Sequence, residues 1–396
     1  MSMASLPTEV RLPEEVVGIA RRLMDAGFDT WCVGGALRDR LLEQPGDDVD
    51  LATVATPEEV QALFPHTVAV GIKYGTVGVL DRHRVLHEVT TFRKDVSTDG
   101  RHAVVAYGVS IDEDLARRDF TINALAYHPV RKEWRDPFGG ATDLLELRVV
   151  RAVGDAAIRF AEDHLRILRM VRFAARFDFE IDPATWTAAE AAAPLLRTLS
   201  AERVRDEWFK ALETAKSLER LVDLWRRVGA AAIWMPELAE GFPLAAPSPL
   251  RRDPVVLTAA LCREPAEVLR RLRASNADIA RAQAMAAGAA EPASSDSVAT
   301  RRWLAGVGTA AADLILLREY RTGAPPIWAT RVEEIRLRGE ATSRGGLKIS
   351  GDDLLAAGFP AGPELGHLLG RLLDAVLQNP ELNQRETLLE LARSWR

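Results

Sequence analysis

Hydrophobic and polar residues follow two different periodicities along the chain, and the change lies near Val150. Before that residue, short runs with strand-type alternation stand between runs with helical spacing. The strand-type runs are TWCVGG, DVDLAT, GTVGVL and RVLHEVTTFR. The helical runs are ALRDRLLEQ, TPEEVQALF, which opens with a threonine cap and a proline, and the start of RDFTINALAYHP. Irregular alternation of this kind predicts a small head with an α+β fold and a mixed sheet.

After Val150 the pattern is helical and rich in alanine, leucine and arginine. One helical run covers residues 155–177 and another covers 201–228, and we predict no strand in this part of the chain. Segments rich in proline, glycine and serine indicate breaks at 236–249, 287–297 and 323–326. The sequence therefore predicts a mixed head followed by a longer, all-helical portion.

The composition excludes several classes of protein. Apolar residues make up 47% and charged residues 27% of the 396 residues, which is typical of a folded globular chain. No apolar run approaches the roughly 18 residues of a membrane span, and the two cysteines cannot form a disulfide framework or a four-ligand zinc site. The first residues also lack the pattern of a secretory signal, so we expect a cytoplasmic protein with no membrane partner. The net charge of −6 argues against nucleic-acid binding through overall charge, but it does not exclude a local basic face.

Asp48 and Asp50 form an Asp–x–Asp pair on the second predicted strand, soon after the glycine pair Gly34 and Gly35. Side chains two apart on a strand project from the same face, so the two carboxylates can converge on one point. Carboxylate oxygens suit Mg²⁺, and such a pair can hold two ions about 3.5–4 Å apart for phosphoryl transfer. The glycines let backbone N–H groups approach a phosphate, and Arg38 can add a charged fork.

The acidic pair also has a simpler interpretation, in which Asp48 belongs to a turn and Asp50 is a solvated strand residue. The strand–turn–helix–turn–strand frame around the glycine pair favours the metal site over this alternative. Glu88, on the RVLHEVTT strand, could complete the carboxylate cluster, and a strand-edge salt bridge is its alternative role. We predict that His83 and His87 are surface residues rather than ligands.

The run FAEDHLRILRMVRFAARF places several arginines at helical spacing on an otherwise apolar helix, which indicates that their heads meet a polar or phosphate-lined cleft. Asp163 and Arg166 lie on one helical face, and an exposed ion pair is one interpretation of them. The other interpretation is base recognition. Cytosine and adenine each present an amino donor beside a ring-nitrogen acceptor, and a carboxylate beside a guanidinium matches that edge. Guanine and uracil present a carbonyl beside an N–H, so the pair could select CTP and ATP.

Together these segments resemble the bacterial branch of the class II tRNA nucleotidyltransferase and poly(A) polymerase family. The resemblance is carried by VGGALRD, DDVDLAT, HEVTTFR, DEDLARRDFTINALAY, DPFGG, EDHLRILRMVRF, LSAERVRDEWFKAL and KISGDDLLAAGFPAGPELG. These segments span nearly the whole chain. The resemblance implies a CCA-adding enzyme built from a polymerase-β-like nucleotidyltransferase head at 1–150, a helical neck at 151–235, a helical body at 236–325 and a helical tail at 326–396.

The resemblance also implies roles for individual residues. Asp48 and Asp50 would hold catalytic Mg²⁺, with the triphosphate near Gly35 and Arg38. The residues implied to contact the nucleotide or its pocket are Arg118, Asp119, Asn123, Asp163, Arg166, Arg169 and Arg172, with Glu162 positioning the base-reading pair. DPFGG would be a hinge of the head. The implied reaction is attack of the tRNA 3′-hydroxyl on the α-phosphate of CTP or ATP.

Several activities fit these observations. Addition of the whole CCA sequence to tRNA is the leading hypothesis, and the close alternatives are an enzyme that adds only the terminal A or only CC, and a poly(A) polymerase. The stretch VGIKYGTV at 70–77 resembles the tRNA enzymes more than the poly(A) branch. A nucleotidyltransferase of small molecules would not need the long helical portion, and a catalytically dead RNA-binding module would not need the Asp–x–Asp pair.

Overall fold

A computed structural model describes residues 6–44, 49–98, 103–238 and 252–395. The chain divides into two compact units, Met1–Trp234 and Met235–Arg396. No helix within the described ranges is long and apolar enough to cross a membrane.

The first unit contains a mixed sheet, as the strand-type runs predict. The strands are β1 Thr30–Val33, β2 Asp50–Thr53, β3 Thr67–Gly71, β4 Thr76–Leu80, β5 Leu86–Thr91, β6 Arg93–Thr98, β7 Ala103–Tyr107, β8 Ala126–His128, β9 Glu133–Arg135, β10 Val149–Val150 and β11 Glu180–Ile181. Seven of them form one sheet in the order β3-β4-β5-β2-β1-β8-β9. Strands β2 and β5 are parallel, and the other neighbours in this sheet are antiparallel. Strands β6 and β7 form a separate hairpin.

Helices cover and extend the sheet. Those of the first unit are α1 Glu14–Asp25, α2 Gly35–Leu41, α3 Pro57–Leu63, α4 Ile111–Ala116, α5 Gly140–Thr142, α6 Ala156–Glu162, α7 Leu165–Phe177, α8 Pro183–Ala192, α9 Ala201–Thr214, α10 Leu218–Arg227 and α11 Ala230–Trp234. The predicted cap of α3 is confirmed, because the Thr56 hydroxyl accepts from the Glu59 N–H at 3.3 Å and the Glu59 carboxylate accepts from the Thr56 N–H at 2.8 Å.

Alternation along the strands gives the sheet two different faces. Cys32, Leu51 and Val89 are cross-strand neighbours on one face and belong to the apolar cluster that includes helix α1. Val33 lies on the other face, in a second apolar cluster, and its cross-strand partner is Asp50. The register therefore places a carboxylate at the start of β2, on the face opposite α1.

The segment RDFTINALAYHP is not the start of an α-helix, so that prediction was wrong. Thr121–Asn123 make a single 3-10 turn, and Ala126–His128 continue as β8. Tyr127 pairs with Cys32 in the centre of the sheet. Buried backbone N–H and C=O groups need partners, and here strand β1 provides them at long range.

Three further predictions were wrong in the helical portion of the first unit. The run at 201–228 is two helices, α9 and α10, because α9 ends at Thr214 and Ser217 caps the start of α10 by accepting from the Arg220 N–H at 3.1 Å. The run at 155–177 is two helices, α6 and α7, because Asp163 has an extended backbone and its carboxylate accepts from the Leu165 N–H at 3.0 Å. A strand also occurs after Val150, since β11 pairs in parallel with β10.

The second unit is built from helices. They are α12 Pro254–Leu261, α13 Pro265–Arg271, α14 Asn276–Ala287, α15 Ser297–Val307, α16 Ala311–Thr322, α17 Trp328–Leu337, α18 Gly351–Ala356, α19 Pro363–Gln378 and α20 Arg385–Ser394. Leu354, Leu372, Val376 and Leu388 are fully buried members of one apolar cluster that joins α18, α19 and α20. Leu372 and Val376 lie four residues apart on one face of α19.

Candidate active site

The turn between β1 and α2 requires glycine and brings a carboxylate and a guanidinium together. Gly34 has φ of 82°, which is a left-handed conformation that favours glycine. A Cβ atom at this position would lie 3.2 Å from Nη1 of Arg118 and 3.5 Å from Oδ2 of Asp50. The predicted juxtaposition of Asp50 with the glycine turn is therefore present.

The carboxylates predicted to hold metal are described only in part. Asp48 lies outside the described residues, so its convergence with Asp50 stays a prediction. The parallel register pairs Leu51 with Val89, and Glu88 therefore lies beside Asp50 on the same sheet face. No cluster of three or more potential metal ligands occurs within the described ranges, which do not include Asp48. The carboxylate of Asp50 is the type of hard oxygen ligand that suits Mg²⁺.

A cleft of about 520 Å³ adjoins the glycine turn in the first unit. The predicted site residues that line it are Gly34, Gly35, Arg38, Asp50, Arg118, Asp119, Asn123, Asp163, Arg166, Arg169 and Arg172. Glu88 is not among its lining residues. Many of the lining groups are cationic, so a chain with a net negative charge still presents a local basic face.

Asp119 and Asn123 form the polar floor of this cleft. The Asp119 carboxylate accepts from the Asn123 amide at 2.8 Å and from Nε of Arg169 at 2.7 Å. Burial raises the pKa of Asp119, but Arg169 and the Asn123 amide outweigh burial and hold that pKa below its usual value. Asp119 is therefore an ionised, fixed acceptor within the cleft.

Arg38 reaches the cleft from α2 but is deeply buried. Its guanidinium donates to Asn123 and, at 2.9 Å, to Asp39, and it lies over the rings of Phe173 and Phe177 at 5.0 and 4.9 Å. Burial lowers the pKa of Arg38 to about 10, with Asp39 opposing that effect. The side chain joins α2 to α7 as well as contributing positive charge to the cleft.

Asp163 and Arg166 both line the cleft, but they do not form an ion pair with each other. Oδ2 of Asp163 lies 2.7 Å from Nη2 of Arg203 on α9. Arg166 donates to Glu162 at 2.6 Å and to the backbone oxygen of Arg117 at 2.9 Å. The interpretation of Asp163 and Arg166 as an exposed ion pair with each other is therefore wrong.

Arg169 and Arg172, the other two arginines of α7 predicted as site residues, differ in their surroundings. Arg169 pairs with Asp119 at 2.7 Å and is partly exposed at the cleft. Arg172 is buried, forms an ion pair with Glu207 on α9 and lies over the Phe173 ring at 4.2 Å. Burial lowers the pKa of Arg172, with Glu207 opposing the shift. Arg172 therefore stabilises the wall of the cleft through its buried contacts with Glu207 and Phe173.

Several contributors were not found from the sequence. Arg203 and Glu207 come from the segment LSAERVRDEWFKAL, which was matched as a family segment without a role for any residue. Arg176 belongs to the arginine run that the sequence predicted to meet a cleft, and it does line the cleft, but its ion pair with Asp39 at 2.9 Å was not predicted. His87 was predicted as a surface residue and is instead buried, with Nε2 at 3.1 Å from the Asp81 carboxylate in the β4–β5 turn.

Comparison with known families matches three successive parts of the chain. Residues 30–151 match the "Poly A polymerase head domain", residues 178–242 match the "Probable RNA and SrmB- binding site of polymerase A", and residues 255–392 match tRNA nucleotidyltransferase domain 2. The first match, which begins at Thr30, contains the glycine turn and the seven-stranded sheet.

Similar proteins of known name or structure agree with these matches. The CCA-adding enzyme of Streptococcus sanguinis is 44% identical over 238 residues, which are 57% of this chain and 58% of that protein, so the matched region spans little more than half of that relative. The crystal structure of Bacillus stearothermophilus CCA-adding enzyme in complex with CTP is 33% identical, with a TM-score of 0.80 and 96% of both chains covered. Thermotoga maritima CCA-adding enzyme complexed with tRNA-CCA has a TM-score of 0.64 at 19% identity, which shows a common fold.

The likeness to the Bacillus stearothermophilus structure extends over nearly the full length of both chains. The resemblance seen in the sequence is confirmed: the chain belongs to the class II tRNA nucleotidyltransferase and poly(A) polymerase family, in its CCA-adding branch.

Proposed function

We propose that the protein is a template-independent RNA nucleotidyltransferase that adds CCA to tRNA 3′ ends from CTP and ATP and releases pyrophosphate. The observation that carries the proposal is the single cleft that holds Asp50 at the glycine turn together with Asp163 and Arg166 on the neck side. The named relatives support the same activity, since they are CCA-adding enzymes.

Asp48 and Asp50 would hold Mg²⁺, with Glu88 as a third carboxylate on the neighbouring strand. The chemistry that divalent ions supply at such a pair is activation of the attacking oxygen and neutralisation of the phosphate charge. The absence of side chains at Gly34 and Gly35 leaves their backbone N–H groups open to the triphosphate.

The rest of the nucleotide would lie along the polar floor of the cleft. Arg118, Asp119 and Asn123 would contact the sugar and phosphates, and Arg169 would add a positive charge beside Asp119. Asp119 is suited to accept a ribose hydroxyl because the contacts with Arg169 and Asn123 keep its carboxylate ionised and fixed. This placement favours ribonucleotides over deoxyribonucleotides.

Asp163 would accept from the amino group of cytosine or adenine, and Arg166 would donate to the adjacent ring nitrogen. Arg203 fixes the Asp163 carboxylate, and Glu162 fixes the Arg166 guanidinium. Within the described residues, Arg166 donates to protein acceptors through Nη1 and Nη2. Its Nε–H would be the donor to the base. A base that presents a carbonyl to Asp163 and an N–H to Arg166 would form neither hydrogen bond with this pair, which disfavours UTP and GTP.

We extend the proposal to the organisation of the chain. The nucleotidyltransferase head would occupy 1–150, the neck with the base-reading helix 151–235, the body 236–325 and the tail 326–396, with neck, body and tail binding tRNA in the cytoplasm. The match to the head family at 30–151 and the division of the structure after Trp234 support this arrangement.

The test is extension of three tRNA substrates that end before CCA, after the first C, and after CC, with each nucleotide supplied separately. We expect CMP addition to the first two and AMP addition to the third, in the presence of Mg²⁺. Extension of the third substrate alone would assign the A-adding activity instead, and addition of many A residues to unstructured RNA would assign a poly(A) polymerase. Asp50→Asn should abolish every addition, and an Asp50→Asn protein with wild-type activity would contradict the metal assignment.

A further inference from the structure

Two backbone carbonyl groups at the end of α4 are bound by arginines from the segment that carries the base-reading pair. Nη1 of Arg159, on α6, donates to the backbone oxygen of Ala116 at 3.0 Å. Nη2 of Arg166, on α7, donates to the backbone oxygen of Arg117 at 2.9 Å. The last carbonyls of a helix have no partner within the helix, and a cation near that end also interacts favourably with the helix dipole.

Glu162 joins these two arginines. Its Oε1 lies 2.5 Å from Nη2 of Arg159 and its Oε2 lies 2.6 Å from Nη1 of Arg166. Nη1 of Arg166 also donates to the backbone oxygen of Arg159 at 3.0 Å. The contacts form a closed ring that runs from Ala116 through Arg159, Glu162 and Arg166 to Arg117, which we call the α4 ring.

The α4 ring is shielded from solvent. The side chains of Arg159, Glu162 and Arg166 are 17%, 18% and 13% exposed. Charge-assisted hydrogen bonds at this degree of burial are stronger and more restrictive than ion pairs on an open surface. The orientation of the Arg166 guanidinium is therefore set by the ring and not by α7 alone.

We propose that Arg159 is a positioning residue for base selection, an inference that rests on the proposed function of Arg166. Arg166 lines the cleft, and among the described residues Arg159 and Glu162 do not. Arg159 thus acts through Glu162, which it holds in place to orient the guanidinium that reads the base. When Arg159 is removed, the side chains of Glu162 and Arg166 can rotate together. The Arg166 donor then has no fixed position relative to the base, so it no longer distinguishes a ring-nitrogen acceptor from an N–H.

The α4 ring also links base reading to the head. Helix α4 begins at its Ser110 cap, just beyond the β6–β7 hairpin, and ends at the two carbonyls that the ring binds. A shift of α4 relative to α6 would directly change the orientation of the Arg166 guanidinium. The position of Arg166 therefore depends on α4 as well as on the helix that carries it.

The test compares Arg159→Met and Arg159→Lys with the wild type in steady-state addition to tRNA ending before CCA and after CC. Each reaction is measured with CTP, ATP, UTP and GTP. For Arg159→Met we expect the preference for CTP over UTP, as a ratio of kcat/KM, to fall about tenfold, mostly through KM for the correct nucleotide. Arg159→Lys should be intermediate, because one ammonium can reach Glu162 or the Ala116 oxygen but does not reproduce the bidentate fork.

The controls separate positioning from stability. Arg227→Met on α10 removes an arginine of the same unit that is 58% exposed and 3.5 Å from Asp223, and it should leave the nucleotide preference unchanged. In an Arg166→Ala background, Arg159→Met should cause no further loss of preference, because its effect passes through Arg166. If Arg159→Met does not fold, Glu162→Gln breaks the same ring with little change of shape and should lower the preference in the same direction.

Wild-type preference in folded Arg159→Met and Glu162→Gln proteins would overturn the positioning role. A wild-type protein that extends no tRNA would contradict the proposed function instead. In that case, calorimetric titration with CTP and with UTP still decides the role of Arg159. The role is supported if the wild type binds CTP more tightly than UTP and this difference disappears in Arg159→Met. The role is contradicted if Arg159→Met changes both affinities equally or changes neither.

Discussion

The carboxylate of Asp163 is bound by Arg203, with 2.7 Å between Oδ2 and Nη2, although Arg166 lies much closer in sequence. Asp163 is thereby oriented from α9, while Arg166 is oriented from α4 and α6. Two independent supports keep the acceptor and the donor apart, so neither neutralises the other. A base can then bind between them with one hydrogen bond to each.

We predict that Asp163→Ala and Arg166→Ala each lower the preference for CTP and ATP over UTP and GTP by about tenfold, because each removes one of the two hydrogen bonds that distinguish the bases. The measurement is kcat/KM for single-nucleotide addition with all four nucleotides. Asp206→Ala, at a 56% exposed aspartate of α9, is the control and should keep the wild-type preference. Unchanged preference in both cleft variants would remove the templating role.

The contact between Asp39 and Arg176 gives a prediction about stability. Asp39 pairs with the buried Arg38 at 2.8 Å and with Arg176 at 2.9 Å, so it joins α2 to α7. Asp39→Asn should lower the free energy of unfolding by about 1–3 kcal/mol, because the buried Arg38 loses a charged partner. Urea denaturation measures this, and a double-mutant cycle with Arg176→Gln should give a coupling of about 0.5 kcal/mol or more.

The exposed pair Asp223 and Arg227 on α10 is the matched control for that cycle. Its coupling should be close to zero, since exposed pairs contribute little. Equal couplings for the two pairs would mean that the link between α2 and α7 is carried by the ring contacts of Arg38 rather than by Asp39.

Local signals predicted the part of the site that the chain forms within one short stretch. The glycine turn and Asp50 follow from strand alternation and from the need for a small residue at φ of 82°. The cap of α3 also follows from its own sequence. These features depend on neighbours a few residues apart, which a single sequence displays.

Most of the wrong predictions and missed contacts concern residues whose structure is decided at long range. Tyr127 has a helical pattern around it, yet it pairs with Cys32 in the sheet. Arg203 lies 40 residues from Asp163, and Glu207 lies 35 residues from Arg172, so no spacing rule connects them. The break at Asp163 is local, but it depends on a side-chain to backbone hydrogen bond that competes with a strong helical pattern.

Gly140, in the DPFGG segment, is packed too closely for any side chain. A Cβ atom there would lie 2.1 Å from the backbone oxygen of Thr121. The Asp136 carboxylate accepts from the Gly140 N–H at 2.7 Å, so a movement of the backbone away from Thr121 would disturb that hydrogen bond. Gly140→Ala should lower the free energy of unfolding by about 1–3 kcal/mol. It should also weaken nucleotide binding, because Thr121 begins the turn that carries Asn123.

Gly18 provides the matched control for this substitution. It lies in the middle of α1 with no atom within 4 Å of the Cβ position. Gly18→Ala should raise the free energy of unfolding by about 0.5–1 kcal/mol, because alanine loses less backbone entropy than glycine in a helix. Urea unfolding of the two variants would contradict the packing argument if both changed stability in the same direction.

The ionised state of Asp119 predicts how acid affects the first unit. The pKa of Asp119 in the folded protein is below its usual value, because Arg169 and Asn123 outweigh burial. A carboxylate of this kind contributes stability that is fully present above its unfolded pKa of about 4 and is lost as the pH falls through the folded pKa. The wild type should therefore lose stability below about pH 4, and Asp119→Asn, which cannot ionise, should lose less over the same range. Asp223→Asn is the exposed control. Equal urea midpoints for Asp223→Asn and Asp119→Asn between pH 7 and pH 3 would contradict this role of Asp119.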